Sequence, residues 1–201
     1  MCSKENKITF GDPALEAAVR LKLQKPEGDI QRADLKKVRS LNLSEAKQND
    51  ALDACLLPEM TGLKELFLAP GKLEDLRPLA GLTQLESLRA SITHVKDLKP
   101  LAGLTKLDRL DLGRTPVSDI APLANLTLLT ELALDETEVS DISPLAKLKK
   151  LKVLNLKRTR VSDLGPLREL RELKNVYIEG SAIKDVSPIK DIPGLKIHEG
   201  R

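Results

Sequence analysis

Side chains that could carry out acid–base or metal chemistry are few and scattered in this sequence. The two histidines, His94 and His198, stand far apart along the chain. The sequence contains no G-x-S-x-G elbow, no H-E-x-x-H pair, no Walker loop, no C-x-x-C pair and no dinucleotide fingerprint. We therefore predict a protein that is not an enzyme and that needs no metal or cofactor.

One aspartate recurs at a constant interval in the second half of the chain, which raises the question of a calcium ladder. A calcium site needs six or more oxygens around one ion, whereas each repeat offers a single carboxylate at this position. A proline follows three residues later, so the aspartate is suited to capping a short helical turn. We expect these residues to be structural caps: Asp97, Asp119, Asp141, Asp163 and Asp185.

The chemistry that remains is recognition by surface side chains. Two columns of residues flank the repeated leucines, and they vary from repeat to repeat while the leucine columns stay aliphatic. Two of the three aromatic residues, Phe67 and Tyr177, lie in one column, about 24 Å apart if the repeats stack at strand spacing. Aromatic and arginine side chains most often anchor protein interfaces. The predicted partner-binding residues are Phe67, Arg89, Arg109, Asp111, Glu131, Asn155, Asn175 and Tyr177. A solvated sheet face without a partner is the alternative.

The element that must position these columns is a 22-residue unit, repeated six times without a shift from Leu63 onward. In the stretch Leu107-x-x-Leu110-x-Leu112, the last two leucines are two apart, as in a short strand with both side chains in the core. A threonine column follows, which we expect to satisfy backbone groups where the chain leaves the strand. The remaining residues leave room for about one helical turn, which we expect to be 3₁₀. Such a pattern predicts stacked coils.

The pattern L-x-x-L-x-L-x-x-T-x-V-x-D-(I/L)-x-P-L-x-x-L, complete from Leu129 to Leu148, resembles the 22-residue leucine-rich repeats of bacterial internalin-like proteins. The resemblance implies an α/β fold: a right-handed leucine-rich-repeat solenoid with a parallel sheet on the concave face and 3₁₀ turns on the convex face. It also implies a bacterial cell-surface or envelope protein that binds a protein ligand. Leucine-rich repeats share a scaffold rather than one activity, so the ligand is not implied.

The residues before Leu63 predict a helical cap that covers the first coil. Asp12 and Pro13 read as the N-cap and first residue of a helix, and a second short helical stretch contains Leu35 and Val38. The first coil is three residues longer than the others, and we expect a small helix at 51–57. The predicted division is a flexible tail at 1–7, a helical cap with an irregular first repeat at 8–62, and repeats at 63–201 that end in a partial repeat.

The two cysteines are predicted to play different roles. Cys2, followed by Ser3 and Lys4, resembles the start of a mature bacterial lipoprotein, so it is a candidate for lipidation and membrane attachment outside the cytoplasm. An ordinary N-terminal cysteine in a cytoplasmic protein is the alternative. We expect Cys55 to be buried and unpaired. We do not expect a Cys2–Cys55 disulfide, because Cys2 lies in the predicted flexible tail.

Charge favours neither disorder nor nucleic-acid binding. Charged residues make up 31% of the chain and hydrophobic residues 41%, with a net charge of only +3. We expect a monomer. One basic cluster supports a different function, that of a structural envelope lipoprotein that contacts anionic lipid or polymer, although a solvated charged rim would look the same in sequence. This cluster comprises Lys147, Lys149, Lys150, Lys152, Arg168, Arg171 and Lys174.

Overall fold

Within residues 2–44 and 50–200, which the computed structural model describes, eight parallel strands form one sheet in chain order. The strands are β1 (Ser40–Asn42), β2 (Glu65–Phe67), β3 (Ser87–Arg89), β4 (Arg109–Asp111), β5 (Glu131–Ala133), β6 (Val153–Asn155), β7 (Asn175–Tyr177) and β8 (Lys196–His198). The predicted right-handed leucine-rich-repeat solenoid is confirmed. The outermost residues of the predicted domain ranges, 1 and 201, and residues 45–49 of the enlarged first coil lie outside the described residues.

Each strand has three residues and places one side chain in the core, and the next inward side chain follows just after the strand, as Leu112 does after β4. Leu110, for example, pairs in register with Leu88 on one side and Leu132 on the other, and all three are buried. Successive strand residues point to opposite faces, so the residues on either side of these leucines face outward. The core is one continuous aliphatic cluster that runs from the first helix to the last coil.

The convex side consists of short 3₁₀ helices, each with proline as its second residue. They are Leu57–Glu59, Arg77–Leu79, Lys99–Leu101, Ala121–Leu123, Ser143–Lys147 and Gly165–Leu167. The aspartates cap the 3₁₀ helices with their side chains, as expected, but they stand one position before the N-cap. Asp119 Oδ1, for example, accepts from the backbone N–H of Ala121, the first helical residue, at 2.9 Å. The same bond from Ser143 lowers the pKa of the Asp141 carboxyl below its ordinary value.

The threonine column closes the turn after each strand, as predicted. Thr137 Oγ1 donates to the carbonyl oxygen of Leu134 at 2.6 Å, and the threonine is almost fully buried. Its equivalents Thr93, Thr115 and Thr159 make the same bond to the residue three positions earlier. In each of these buried turns, the threonine hydroxyl and the carbonyl oxygen that it contacts therefore satisfy each other.

The residue before each threonine has a left-handed backbone. Ile92, Arg114, Glu136 and Arg158 have φ between 52° and 58°, and glycine occupies the next equivalent position, Gly180. This conformation costs about 1 kcal/mol for a residue with a side chain. It is held by a bond between coils, as in Arg114, whose N–H donates to the carbonyl oxygen of Asp135 at 2.7 Å.

The N-terminal cap is helical, as predicted. Helix α1 (Pro13–Leu23) begins after Asp12, whose Oδ1 accepts from the N–H of Ala14, and its buried face packs against β1. Helix α2 (Arg32–Leu35) follows. The small helix expected at 51–57 is instead a turn that leads into the 3₁₀ helix at Leu57–Glu59, because Pro58 fixes the first helical turn there.

The expectation for the cysteines was wrong: Cys2 and Cys55 form a disulfide, and Cys55 is only half-buried. In the segment before Ile8, the carbonyl oxygens of Ser3 and Glu5 accept hydrogen bonds from the Arg32 guanidinium. Those bonds bring Cys2 to the cap. A sulfur atom in a disulfide carries no lipid thioether, so lipidation of Cys2 and this disulfide exclude one another.

Replacing Thr137 with valine should lower the free energy of unfolding by about 1–2 kcal/mol, because the Leu134 carbonyl would lose its hydroxyl partner in a buried turn. Chemical denaturation measures this change. Thr127→Val is the control, since Thr127 is exposed and makes no side-chain hydrogen bond in the described structure, and it should have little effect. Equal effects of the two variants would contradict the role assigned to the threonine column.

Removing the disulfide with Cys2→Ser/Cys55→Ser should lower the free energy of unfolding by up to about 4 kcal/mol, the loop-entropy value for a bond that spans 53 residues. Thermal melts with and without a reductant measure the effect. Reductant should lower the melting temperature of the wild type and leave that of the double variant unchanged. A wild type that is insensitive to reductant would show that the bond contributes nothing.

Candidate functional site

The outward side chains of the strands form two columns on the concave face. The first column is Asn42, Phe67, Arg89, Asp111, Ala133, Asn155, Tyr177 and His198, and the second is Ser40, Glu65, Ser87, Arg109, Glu131, Val153, Asn175 and Lys196. All eight residues predicted to bind a partner lie in these columns. The middle of the face is an open groove of about 370 Å³, which Phe67 and Tyr177 line at its two ends.

At the N-terminal end, Phe67 is held in place by its neighbour on β3. The Arg89 guanidinium carbon lies 5.4 Å from the centre of the Phe67 ring, a cation–π distance. Arg89 Nε also lies 3.4 Å from Asp111 Oδ2 on β4. Three adjacent coils therefore present an aromatic ring, a cation and a carboxylate in a row.

At the C-terminal end, Tyr177 lies between two cationic or titratable neighbours. Lys157 Nζ is 5.4 Å from the ring centre, and the His198 ring stacks on the tyrosine with 4.3 Å between centroids and 12° between planes. His198 Nε2 also lies 3.0 Å from Asn175 Oδ1. The tyrosine ring is therefore fixed in position although it is only half-buried.

A half-buried carboxylate lies at the rim of the face, where the chain leaves β5. Asp135 Oδ1 accepts from Asn155 Nδ2 at 3.0 Å. Gly113 leaves the space for it, because a Cβ at that position would lie 2.7 Å from Asp135 Oδ1. Burial raises the pKa of the Asp135 carboxyl, and the charges of Asp111 and Glu136 raise it further.

Sequence analysis missed Asp135, Lys157 and His198 as members of this surface. The step from Tyr177 to His198 is one position shorter than the regular steps between Phe67 and Tyr177, and the spacing from Val176 to Ile197 was the signal for that shift. Asp135 and Lys157 lie two positions after the outward residues of their strands, so the strand alternation continues into the rim. The histidines remain apart, because His94 is exposed after β3 whereas His198 ends β8.

Two other kinds of site were sought in the part of the chain that the structure describes, a metal centre and a membrane span. Residues 2–44 and 50–200 contain no group of three or more His, Cys, Asp or Glu side chains that could hold a metal ion. None of the helices in these segments has the length and hydropathy needed to cross a bilayer.

Comparison with known proteins identifies the repeat. The family model for leucine-rich repeats in two copies matches residues 83–125. An internalin from Listeria monocytogenes (inlF) superposes with a TM-score of 0.85 at 29% identity, covering 94% of this chain and 56% of its own. Internalin C2 (inlC2) from the same species superposes with a TM-score of 0.75 at 29% identity, covering 95% of this chain and 94% of its own.

This chain contains leucine-rich repeats, and its fold is similar to that of internalins. A leucine-rich-repeat protein from Leptospira interrogans shares the fold at 17% identity, with a TM-score of 0.63 over 82% of this chain and 49% of its own. No protein of curated function matches the sequence. The internalin-like chain spans little more than half of the first of these internalins, so what that whole protein does is not transferred to it.

Asp135→Asn should raise the thermal stability of the internalin-like protein near pH 7. A carboxyl whose folded pKa lies above its unfolded value of 3.8 favours folding when protonated, and this contribution is lost as the pH rises through the folded pKa. The amide avoids this loss, so the gain in melting temperature should shrink toward about pH 3.

Asp141→Asn is the control with the opposite sign, because the pKa of Asp141 is lowered by its bond from Ser143. It should lower the melting temperature near neutral pH. If Asp135→Asn also melted at a lower temperature at that pH, the destabilising effect assigned to the half-buried, charged carboxylate would be refuted.

Proposed function

We propose that this protein is a non-enzymatic interaction module that binds a protein ligand on its concave face. The observation that carries the proposal is the pair of aromatic rings, Phe67 and Tyr177, each fixed by a cation at one end of an open groove. Neither ring is needed to fill the core, which the leucine columns complete without them. The internalin-like fold, which suggests protein–protein interaction, supports the same function.

The groove favours a protein over a small molecule because its contact groups are spread out. Phe67 lies on β2 and Tyr177 on β7, five strand spacings or about 24 Å apart along the sheet. A small ligand cannot touch both rings, whereas a protein surface of ordinary size can. Between the rings lie Arg109, Glu131 and Asn155, which supply donors and acceptors for a polar part of the interface.

The proposed interface also includes Arg89 and Asp111 next to Phe67 at one end of the groove, and Asn175, which contacts His198, next to Tyr177 at the other. Arg89 and Tyr177 belong to the residue types that contribute most to protein binding when an interface covers them. Because their positions are already fixed by neighbours, little side-chain entropy is lost when a partner binds. We propose that the protein binds as a monomer, with one ligand on one face.

We also propose a location outside the bacterial cytoplasm. Structural neighbours of this type are often surface or secreted bacterial proteins. The Cys2–Cys55 disulfide supports the proposal, because such bonds persist mainly in oxidising compartments. The same bond argues against membrane attachment through a lipid on Cys2, since the sulfur atom is already used.

The test is capture of proteins from an extract of bacterial and host-cell surface proteins by the immobilised chain. Phe67→Ala/Tyr177→Ala should reduce specific capture more than about tenfold, because two anchors of the interface are lost. Capture by the wild type should persist in about 0.5 M NaCl, where interactions between exposed charges are screened.

Leu21→Ala is the matched control, because Leu21 is an exposed apolar side chain on the cap helix α1, with 74% of its surface accessible. It should capture the same proteins as the wild type. Circular dichroism should show that both variants are folded. If the double variant retained every protein that the wild type binds, the concave face would not be the binding surface.

A further inference from the structure

A second surface of this solenoid differs from the concave face in its charge. The residues just before strands β2 to β7 form a column along the edge where the chain rises from the convex to the concave side. This column is Lys64, Glu86, Asp108, Thr130, Lys152 and Lys174. Near its N-terminal end the neighbours attract: Lys64 Nζ lies 3.1 Å from Glu86 Oε1, and Thr130 Oγ1 donates to Asp108 Oδ1 at 2.5 Å. At its C-terminal end, by contrast, one lysine follows another.

Lys152 and Lys174 are true neighbours, because the N–H of Lys174 donates to the carbonyl oxygen of Lys152 at 2.8 Å. Lys149 and Arg171 are a second pair of cations at equivalent positions of the same two coils, three residues before Lys152 and Lys174. Like charges on adjacent rungs of a sheet are destabilising. The same column carries an opposite-charge pair in its first coils, so the scaffold itself does not require this repulsion.

We define the basic flank as the exposed cations at this edge of the last three coils: Lys147, Lys149, Lys150, Lys152, Arg168, Arg171, Lys174 and Lys190. Among the described residues, none of these side chains lies within 4.0 Å of a carboxylate, although Glu169, Glu172 and Asp191 are interspersed with them. The basic flank is therefore not neutralised within the chain.

The opposite rim of the same coils shows that neutralisation is available to this fold. Arg114 and Arg158 both pair with Glu136 on the coil between them, at 3.6 and 3.3 Å. Lys157 pairs with Glu179 on the next coil at 3.3 Å. Both rims have the same spacing between coils, so ion pairs between neighbouring coils form on one rim and are not seen among the described residues of the basic flank.

We propose that the basic flank binds a linear anionic polymer that lies along the solenoid axis. Its charges recur on successive coils at about 5 Å, which suits a chain of regularly spaced anionic groups. No aromatic side chain lies in the flank, so it offers no platform on which nucleobases would stack. Leu128 is the one large apolar side chain exposed beside the described part of the flank, too little for insertion into a membrane.

The experiment measures binding of long-chain inorganic polyphosphate to the full chain by isothermal titration calorimetry. Lys174→Glu recreates beside Lys152 the arrangement of Lys64 with Glu86, so the variant should melt at the same or a higher temperature than the wild type. Its affinity for polyphosphate should fall by about tenfold or more. Arg171→Glu should do the same through the neighbouring column.

Lys99→Glu is the matched control, because it makes the same change of charge at an exposed convex position away from the basic flank. It should leave the affinity for polyphosphate within about twofold of the wild type once screening is effective at physiological salt. Phe67→Ala/Tyr177→Ala should also bind polyphosphate normally, so this proposal and the concave-face proposal fail separately.

Several results would overturn the proposal. They are a wild type that does not bind polyphosphate at low salt, an equal loss in Lys174→Glu and Lys99→Glu, and binding that is insensitive to salt. Binding to vesicles that contain anionic phosphatidylglycerol without binding to polyphosphate would assign the flank to a membrane surface. Tighter binding of single-stranded DNA than of polyphosphate would assign it to a nucleic acid. Selective loss in the two flank variants, with stable folds, would establish the polymer site.

Discussion

The structure depends on one constraint: each coil can bury its leucines only against the leucines of the coils before and after it. A three-residue strand such as β4 places a single side chain, Leu110, fully inside the sheet, and that side chain is covered by Leu88 and Leu132. A shift of one residue in any coil would expose its inward side chains to water. The 22-residue spacing is the direct result, and it also aligns the outward residues into straight columns.

Those columns explain why distant parts of the sequence meet on the surface. Phe67, Arg89 and Asp111 are separated by a full repeat at each step, yet they form a cation–π contact and an ion pair across adjacent strands. Tyr177 and His198 stack for the same reason. The chemistry of the concave face is thus set by pairs of neighbouring coils rather than by local sequence motifs.

Most of the fold and the position of the face could be predicted from the sequence, because a strict repeat fixes both periodicity and alignment. The threonine bonds, the aspartate turns and the α1 cap followed from residue types with well-understood local preferences. His198 was missed because the last coil is one residue shorter than the regular coils before it. The shortened coil moves the outward column by one position, and only the spacing from Val176 to Ile197 marks that shift.

The disulfide could not be predicted for a different reason. Its formation depends on where the segment before Ile8 lies, and that position is set by bonds from the Arg32 side chain to backbone carbonyls, which leave no periodic trace in sequence. The raised pKa of Asp135 likewise depends on the space left by Gly113 on the neighbouring coil. Periodicity does not reveal contacts that depend on a residue found in one coil only, or on a segment outside the repeats.

The alternation of inward and outward side chains along each strand has an evolutionary consequence. Because the outward residues contribute almost nothing to the hydrophobic core, one of them can be substituted during evolution without disturbing the packing of the leucines. Duplication of a single coil would lengthen the recognition surface by about 5 Å and supply fresh positions for drift. Proteins with this fold can therefore change what they bind by gaining, losing or substituting the outward residues of whole coils, while the hydrophobic core stays the same.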